Sequence, residues 1–280
     1  MRLVVFGMGY SARNIVRRLG ARAVVAGATT RDGRDGTLRF DDREGVARAL
    51  SAASHVLSSV PPEGDRDPVL EHYGNLLGDG HLNVAYLSST GVYGDTGGAW
   101  VDESAPTGGG RRAARAAADA AWLALGARVF RLPGIYGRGR SPLDRVAAGQ
   151  AHRVDVPGQI FSRIHVDDLA DGVIAGWDGV PGAYNLSDDE PAPQSDVIAY
   201  AARLLGLDPP PLIPLDHPSV SPAARAFYAE NRRVANGKAK RVLGWRPAYP
   251  DYRLGLRALK AITSPIIAST PPPSASGDQR

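Results

Sequence analysis

Two glycines and an alanine near the start of the chain have the spacing of a phosphate-binding turn. They form the pattern G-x-G-x-x-A between a predicted strand, Arg2–Phe6, and a predicted helix, Ser11–Leu19. The first glycine permits a tight turn, the second leaves room for a pyrophosphate, and the small alanine allows close helix–strand packing. In this context the pattern predicts a dinucleotide site. Its residues are Gly7, Gly9, Tyr10, Ser11 and Ala12.

The end of the second predicted strand indicates which dinucleotide is bound. NAD sites carry an acid there, about 20 residues past the glycines, which accepts hydrogen bonds from the ribose hydroxyls. Here the strand ends in Thr29, Thr30 and Arg31, with no acid. A guanidinium can form paired hydrogen bonds with a phosphate, so NADP is favoured as cofactor and NAD is less favoured. Arg31 could instead be a solvated loop residue paired with Asp32.

Strand and helix signals alternate along the first half of the chain, which indicates βαβ units and a parallel sheet covered on both faces. Further strands are predicted at Arg22–Gly27, Thr37–Phe40, His55–Ser58, Asn83–Ser88, Arg128–Leu132 and Ala183–Leu186. Further helices are predicted at Arg43–Ala52, Arg66–Leu77, Arg111–Leu125, Val166–Trp177, Asp196–Leu205, Ala235–Leu243 and Tyr252–Ala261. The predicted fold class is α/β, a Rossmann-like doubly wound parallel sheet with a smaller C-terminal substrate-binding part.

The alternation breaks near Gly158, which predicts a division of the chain. Residues 1–180 are predicted to form an NADP-binding Rossmann domain to which the helix at Val166–Trp177 returns. Residues 181–263 are predicted to shape a substrate cleft. Residues 264–280 contain proline and serine without apolar periodicity, so a disordered tail is expected.

Several later segments resemble the extended short-chain dehydrogenases/reductases, a group that includes nucleotide-sugar epimerases and dehydratases. Leu87–Gly94, with Glu103 and Pro106 behind it, is similar to their SS-x-x-VYG and E-x-x-P passage. Similar matches are Arg131–Gly137 to R-x-x-x-x-YG, Arg163–Ala170 to x-I-H-V-x-D-x-A, and Tyr184–Leu186 to the YN-[LV] strand. The resemblance implies a Rossmann fold with a nicotinamide dinucleotide.

The resemblance also implies roles for single residues. Ser89 matches the family's catalytic Ser/Thr, although its hydroxyl could simply bond the strand-end backbone. Asp41 resembles the acid on the adenine side of the cofactor. Cofactor contacts are implied for Ser58, Ser59, Pro133 and Ile135. Substrate contacts are implied for Arg163, Asn185 and Arg232, for which surface solvation or local capping is the alternative.

The family's acid/base pair, Tyr-x-x-x-Lys, does not occur in this sequence. Counting back from Asp119, Arg111 stands at the tyrosine position and Arg115 at the lysine position, and the first lysine of the chain is Lys238. An arginine cannot serve as a base, because its pKa exceeds about 12. Arg115 and Asp119 could form an exposed ion pair. Arg111 could bind an anionic substrate or a cofactor phosphate, or the site could bind NADP without catalysis.

Two functions therefore stay open. One is an NADP-dependent oxidoreductase or epimerase-like enzyme that acts on a carbonyl or nucleotide-sugar-like substrate. In that enzyme Ser89 and Tyr93 would carry the acid/base chemistry, and Arg111 would give electrostatic support. The alternative is a non-catalytic NADP(H)-binding sensor or regulatory protein. Substrate turnover discriminates between them.

Composition argues against other classes. The chain has no cysteine and no H-E-x-x-H, so neither a disulfide nor a metal site is expected. The formal charge of +4 is dispersed, with no basic run longer than two residues, so no nucleic-acid partner is expected. No apolar stretch is long enough for a membrane span or a signal peptide, and a cytoplasmic location is expected. The expected partner is a small-molecule substrate, with a homodimer left open.

Overall fold

The computed structural model describes residues 1–78, 80–109 and 113–263. Its strands are β1 Arg2–Phe6, β2 Val24–Thr30, β3 Leu38–Arg39, β4 His55–Ser58, β5 Asn83–Ser89, β6 Trp100–Val101, β7 Arg128–Leu132, β8 Gly134–Tyr136, β9 Arg153–Asp155, β10 Arg163–His165, β11 Gly182–Asn185, β12 Leu212–Pro214 and β13 Arg233–Val234. Its helices are α1 Tyr10–Leu19, α2 Arg43–Ser51, α3 Pro68–Leu77, α4 Ala113–Ala124, α5 Pro142–Ala147, α6 Val166–Gly176, α7 Gln194–Leu204, α8 Pro222–Phe227, α9 Gly237–Val242 and α10 Tyr252–Thr263.

Seven strands form one sheet in the order β11-β7-β5-β4-β1-β2-β3, and every pairing within it is parallel. The strand order reverses between β1 and β4. Ligands of open α/β sheets bind in the crevice that such a reversal leaves at the carboxyl ends of the strands. The predicted fold class, a Rossmann-like parallel sheet, is confirmed.

The sheet is covered on both faces, and β1 illustrates why its sequence is almost continuously apolar. Leu3 and Val5 belong to the core cluster that includes residues of α1 and α6. Val4 and Phe6 belong to the cluster on the other face, with residues of α2, α3 and α4. Because neighbouring side chains of a strand point to opposite faces, a strand buried on both sides needs apolar residues at every position.

The predicted boundary at residue 180 does not coincide with the edge of this sheet. β11 pairs in parallel with β7 and completes the sheet, although it lies beyond that boundary. α6 lies against α1, where Arg18 forms a two-pronged ion pair with Asp171 and Arg17 bonds Asp167. The nucleotide part therefore includes residues from both sides of the predicted division.

A third core cluster holds the C-terminal part together. It includes Tyr136 of β8 and apolar residues of α5, α7 and α10. Three short parallel pairs, β8–β10, β9–β12 and β6–β13, form separate two-stranded sheets outside the main sheet. Neither α5 nor α8 was predicted, because each is only six residues long and carries too little periodicity to detect. The predicted tail, 264–280, lies outside the described residues.

Across the described part of the chain, no helix combines the length and apolar character needed to cross a membrane.

Candidate functional site

The glycine-rich turn after β1 is held by the ends of the two neighbouring strands. Gly7 has a positive φ of 82°, and a Cβ there would lie 3.0 Å from both Ser59 Oγ and Val60 Cγ2. Its N–H donates to Thr29 Oγ1 at 3.2 Å, and its carbonyl accepts from Ser59 Oγ at 2.5 Å. Thr29 and Ser59 thus fix the turn. The support that Thr29 gives to this turn was not predicted from the sequence.

The start of α1 fits a pyrophosphate. Gly9 is the N-cap residue, and no described side chain caps the helix. A Cβ at Gly9 would meet none of the described atoms within 4 Å, so the backbone beside it is open. Ala12 is fully buried against the core, as close packing requires. The amides of the first turn, including that of Ser11, are therefore free to bind an anion.

Tyr10 has a different surrounding from the other loop residues. Its hydroxyl donates to the carbonyl of Arg138 at 3.2 Å, and its ring lies 5.7 Å from the Arg140 guanidinium. The side chain therefore contacts the 137–140 loop, which leaves only its backbone for the cofactor phosphates.

At the end of β2, the side chain of Arg31 is exposed to solvent and the hydroxyl of Thr30 is buried. The side chain of Arg31 is 90% exposed and lies 3.5 Å from Glu63, across the crevice. Arg31 is thus solvated, as in the alternative interpretation, but Asp32 lies 3.4 Å from Arg34 and does not pair with Arg31. Thr30 is buried and its hydroxyl bonds Thr37, which shapes the β2–β3 loop. Of Thr30 and Arg31, only Arg31 has a side chain that an anionic ligand can reach.

Two further predicted cofactor residues flank the crevice. Asp41 follows β3 and forms a two-pronged ion pair with Arg39, which holds the pKa of its carboxyl below the usual range. Ser58 ends β4, is fully buried, and its hydroxyl has no hydrogen bond to any described residue. The Asp41 carboxylate is thus already paired with Arg39. Ser58 retains an unused hydroxyl where the strand order of the sheet reverses.

A cavity of about 970 Å³ lies between the carboxyl edge of the sheet and the C-terminal part. Ser89, Pro133 and Ile135 line its sheet side, and Arg140 in the wall is the residue that faces the Tyr10 ring. The cavity therefore lies beside the glycine-rich turn. Ser89 Oγ accepts a hydrogen bond from Gly91 N at 3.1 Å, so its hydroxyl both bonds the backbone and belongs to the cavity wall.

The cavity wall is rich in cations. Among its described lining residues are the arginines Arg140, Arg145, Arg163 and Arg232. The two lining acids are already engaged: Asp144 accepts from Ser141 at the start of α5, and Glu230 lies 2.9 Å from Arg232. An excess of positive charge in a concave, partly apolar site favours an anionic ligand.

Tyr93, which is predicted to carry acid/base chemistry, does not line this cavity. It is buried, its hydroxyl donates to Asn185 Oδ1 at 2.8 Å, and it accepts from Arg131 Nη1 at 3.0 Å. Burial raises the pKa of Tyr93, and the Arg131 guanidinium only partly offsets that effect. A phenol so enclosed is poorly placed to exchange a proton with a ligand. Tyr93, Asp119 and Arg131 are called the paired triad below.

The paired triad extends to both neighbouring strands. Arg131 donates to both carboxylate oxygens of Asp119, at 3.1 and 2.7 Å, and Ser88 Oγ donates to Asp119 Oδ2 at 2.6 Å. Asn185 also donates to the Ala235 carbonyl, and its backbone N–H donates to the half-buried carboxylate of Glu103. Asn185, a predicted substrate contact, is fully buried, and its side-chain amide is engaged in these hydrogen bonds.

The two arginine positions of the missing acid/base pair have separate outcomes. The expected exposed ion pair of Arg115 with Asp119 is wrong, because Asp119 is 1% exposed and faces Arg131. Arg115 instead donates to the Tyr86 hydroxyl at 2.9 Å. Arg111 lies outside the described residues.

Of the predicted substrate residues, Arg163 and Arg232 line the cavity. Arg232 Nη1 donates to the Gly94 carbonyl, which joins the wall to the turn after β5. Tyr136 and Asp188 lie beside Arg163 but were not among the predicted site residues. Tyr136 was noted only as part of a motif. Asp188 stands in the acidic run Asp188-Asp189-Glu190, which is typical of a solvated loop, so no signal marked it as buried.

The comparisons with known proteins agree with this geometry. No protein-family model matches the chain. A solved structure from Silicibacter pomeroyi, a functionally unknown conserved protein, is 41% identical with a TM-score of 0.86, over 93% of this chain and 98% of that one. A Streptomyces protein, 3-diazoavenalumate denitrifying reductase, is 31% identical over 148 residues, which are 50% of this chain and 48% of the reductase. The match thus spans about half of that curated relative.

More distant relatives with the same fold have been solved together with a nicotinamide dinucleotide. The human epimerase family protein SDR39U1, isoform 2, with NADPH is 17% identical with a TM-score of 0.73, over 93% of this chain and 99% of that one. The Thermus thermophilus UDP-glucose 4-epimerase with NAD is 22% identical with a TM-score of 0.67, over the same shares of the two chains. The chain therefore has the fold of NAD-dependent epimerases and dehydratases.

Proposed function

We propose that the protein is an NADP(H)-dependent oxidoreductase that transfers hydride between the nicotinamide and a small anionic molecule bound in the 970 Å³ cavity. The observation that carries the proposal is the position of this cavity. Its wall includes the 139–140 segment that faces the glycine-rich turn, and the sheet-edge residues Ser89, Pro133 and Ile135. A dinucleotide on the turn of an open α/β sheet extends along this edge.

The cofactor assignment rests on the turn and on the end of β2. The open backbone at Gly9 and the uncapped start of α1 fit a pyrophosphate. Arg31 has its guanidinium in solvent beside the crevice, where a 2′-phosphate would be neutralised. The neighbouring folds solved with NADPH and with NAD support a nicotinamide dinucleotide. The preference for NADP is our inference from Arg31.

The reaction class rests on the cavity and on one relative. The partial match to a reductase that acts on 3-diazoavenalumate supports reduction of a small acid rather than isomerisation of a sugar nucleotide. Ser89 is proposed as the hydroxyl nearest the reaction, while Tyr93 supports the site from behind through Asn185 and Arg131. The bound dinucleotide would supply the hydride. The chain would hold the substrate and exclude water from it.

A fluorescence titration tests the cofactor assignment. Arg31→Ala should weaken NADPH binding by roughly 1–3 kcal/mol, the range for a charge-assisted hydrogen bond, and leave NADH nearly unchanged. Arg203→Ala is the matched control, because Arg203 is an exposed arginine at the far end of α7. Equal losses of NADPH and NADH affinity would contradict the NADP assignment.

A turnover assay separates an enzyme from a sensor. NADPH oxidation is followed with a set of carbonyl, diazo and unsaturated acids, for the unchanged protein and for Ser89→Ala. We expect turnover of at least one acid and a loss of about 10²-fold or more in kcat for the variant, with NADPH affinity retained. Tight NADPH binding with no turnover across the set would instead favour the non-catalytic sensor.

A further inference from the structure

Three polar side chains, two in the inner wall of the cavity and one next to it, are buried but incompletely hydrogen-bonded. Tyr136 and Arg163 are each 6% exposed and line the cavity, and Asp188 is 1% exposed and adjoins Arg163. Within the described residues, the Tyr136 hydroxyl, Arg163 Nη1 and both carboxylate oxygens of Asp188 make no hydrogen bond. Tyr136, Arg163 and Asp188 are called the unpaired triad below. Buried polar groups are nearly always hydrogen-bonded, so four such atoms in one corner indicate a missing partner.

Strand pairing places Tyr136 and Arg163 on one face of the same two-stranded ribbon. β8 and β10 pair in parallel, with Gly134 opposite Arg163 and Tyr136 opposite His165. Arg163 and Tyr136 are therefore diagonal neighbours, and side chains so related lie on the same face within reach of each other. Both residues line the cavity, and their unpaired polar atoms are buried.

The guanidinium of Arg163 is fixed with one arm free. Nη2 donates to the Ala192 carbonyl at 3.1 Å, and the group lies 5.6 Å from the centre of the Tyr252 ring. These contacts hold the plane of the guanidinium while Nη1 keeps its hydrogens unused. Asp188 is fixed by its backbone, whose N–H donates to the Arg163 carbonyl at 2.8 Å. Because the Arg163 guanidinium is already held in place, it loses little conformational freedom when it donates to a ligand.

Asp188 does not neutralise Arg163 as a close ion pair would. Burial raises the pKa of the Asp188 carboxyl to about 8, and the Arg163 guanidinium only partly offsets this effect. The acids Asp189, Glu190 and Asp251 raise it further. Near neutral pH the carboxyl is therefore mainly protonated and uncharged. The guanidinium is left with a positive charge, on a side chain that lines the cavity.

We propose that this corner is a carboxylate subsite, in which Arg163 Nη1 and the Tyr136 hydroxyl donate to the carboxylate of the substrate. The assignment rests on the proposed function, since it names the class of substrate for the same cavity. The walls next to the corner are apolar, with Val197, Ile198 and Leu256, so the body of the acid is apolar. Phe161 and Tyr228 contribute aromatic walls, which fit a flat, unsaturated or aromatic acid.

Isothermal titration of the full chain with trans-cinnamate and with its neutral amide, cinnamamide, tests this subsite. The two probes have the same shape and differ in charge. We expect cinnamate to bind at least about tenfold more tightly than cinnamamide, since only the carboxylate accepts from a charged donor at both oxygens. Equal affinities, or no cinnamate binding at all, would overturn the subsite.

Variants locate the binding. Arg163→Met should weaken cinnamate binding by about tenfold or more, and Tyr136→Phe by a smaller factor. Arg203→Met, at an exposed arginine outside the cavity, should leave it unchanged. Unchanged cinnamate affinity in Arg163→Met, or an equal loss in Arg203→Met, would also overturn the subsite. Tyr136→Phe keeps the test valid if Arg163→Met does not fold.

NADPH affinity, measured on the same samples, separates the two proposals. Intact NADPH binding with no preference for cinnamate overturns the carboxylate subsite alone. Failure of the unchanged protein to bind NADPH contradicts the proposed oxidoreductase, whether or not cinnamate binds.

Discussion

The paired triad and the unpaired triad have the same composition, one arginine, one aspartate and one tyrosine, and both are buried. In the paired triad, Arg131 uses Nε, Nη1 and Nη2 in hydrogen bonds to Asp119 and Tyr93. In the unpaired triad, Nη1 of Arg163 and both carboxylate oxygens of Asp188 have no hydrogen bond among the described residues. The same residue types thus form a closed network in one place and an open one in the other.

Electrostatics follows the same division. Burial lowers the pKa of Arg131, but its hydrogen bonds to Asp119 and Tyr93 more than offset this and raise the pKa above the usual value. Burial also lowers the pKa of Arg163, and there the neighbouring Asp188 does not restore it. A closed network stabilises its own charges, whereas an open one holds a charge ready for a ligand at a cost in stability. The comparison separates scaffold from binding site without reference to residue type.

The largest expected difference is in the stability of two matched variants. Arg131→Met leaves Asp119 as a buried carboxylate without its guanidinium, so the free energy of unfolding should fall by about 3–5 kcal/mol. Arg163→Met removes a buried charge that lacks a close ion pair, so the change should stay within about 1 kcal/mol. Urea denaturation of both variants measures the two effects. Equal destabilisation would show that both triads are structural.

The next effect is a pH dependence that belongs to Asp188. Its folded pKa, about 8, is raised above the usual 3.8, so the folded state binds more protons than the unfolded state between these values. The stability that this group contributes is therefore present at low pH and is lost as the pH rises toward 8. Asp188→Asn does not titrate, so it should gain stability relative to the unchanged protein by up to about 4 kcal/mol between about pH 5 and pH 8.

Melting curves or urea denaturation at both pH values test this dependence. Arg163 of β10, Tyr136 of β8 and the acids Asp189, Glu190 and Asp251 all face the carboxyl and are unchanged in the variant. A constant difference between the two proteins across this range would mean that Asp188 is ionised throughout, as in a closed ion pair.

Features that depend on local backbone chemistry could be predicted from the sequence. The glycine-rich turn and the strand that precedes it were predicted because each depends on local backbone chemistry, such as the positive φ at Gly7. Ser89, Pro133 and Ile135 were each predicted as site residues, and they line one cavity because neighbouring strand ends of a parallel sheet meet at one edge.

Burial of polar residues could not be predicted in the same way. Tyr93 and Tyr136 both follow a strand and belong to similar Tyr-Gly motifs, yet the structure encloses Tyr93 in the paired triad and places Tyr136 at the cavity wall. Asp188 is separated from Arg163 by 25 positions in the sequence, and only the packing of β10 against the segment after β11 brings them together. Such contacts depend on tertiary packing, which a single sequence does not encode in any local pattern.

The smallest expected effect compares the two tyrosines. Tyr93→Phe removes the partner of both Asn185 Oδ1 and Arg131 Nη1, so two buried groups lose a hydrogen bond and stability should fall by roughly 1–3 kcal/mol. Tyr136→Phe removes a hydroxyl without a described hydrogen bond, so the change should be within about 0.5 kcal/mol or slightly stabilising. Cinnamate binding should reverse the order, with a clear loss in Tyr136→Phe and little in Tyr93→Phe. Urea denaturation and titration of the same samples give both quantities. If one variant were the more impaired in stability and in cinnamate affinity alike, the distinction between a scaffold triad and a ligand triad would fail.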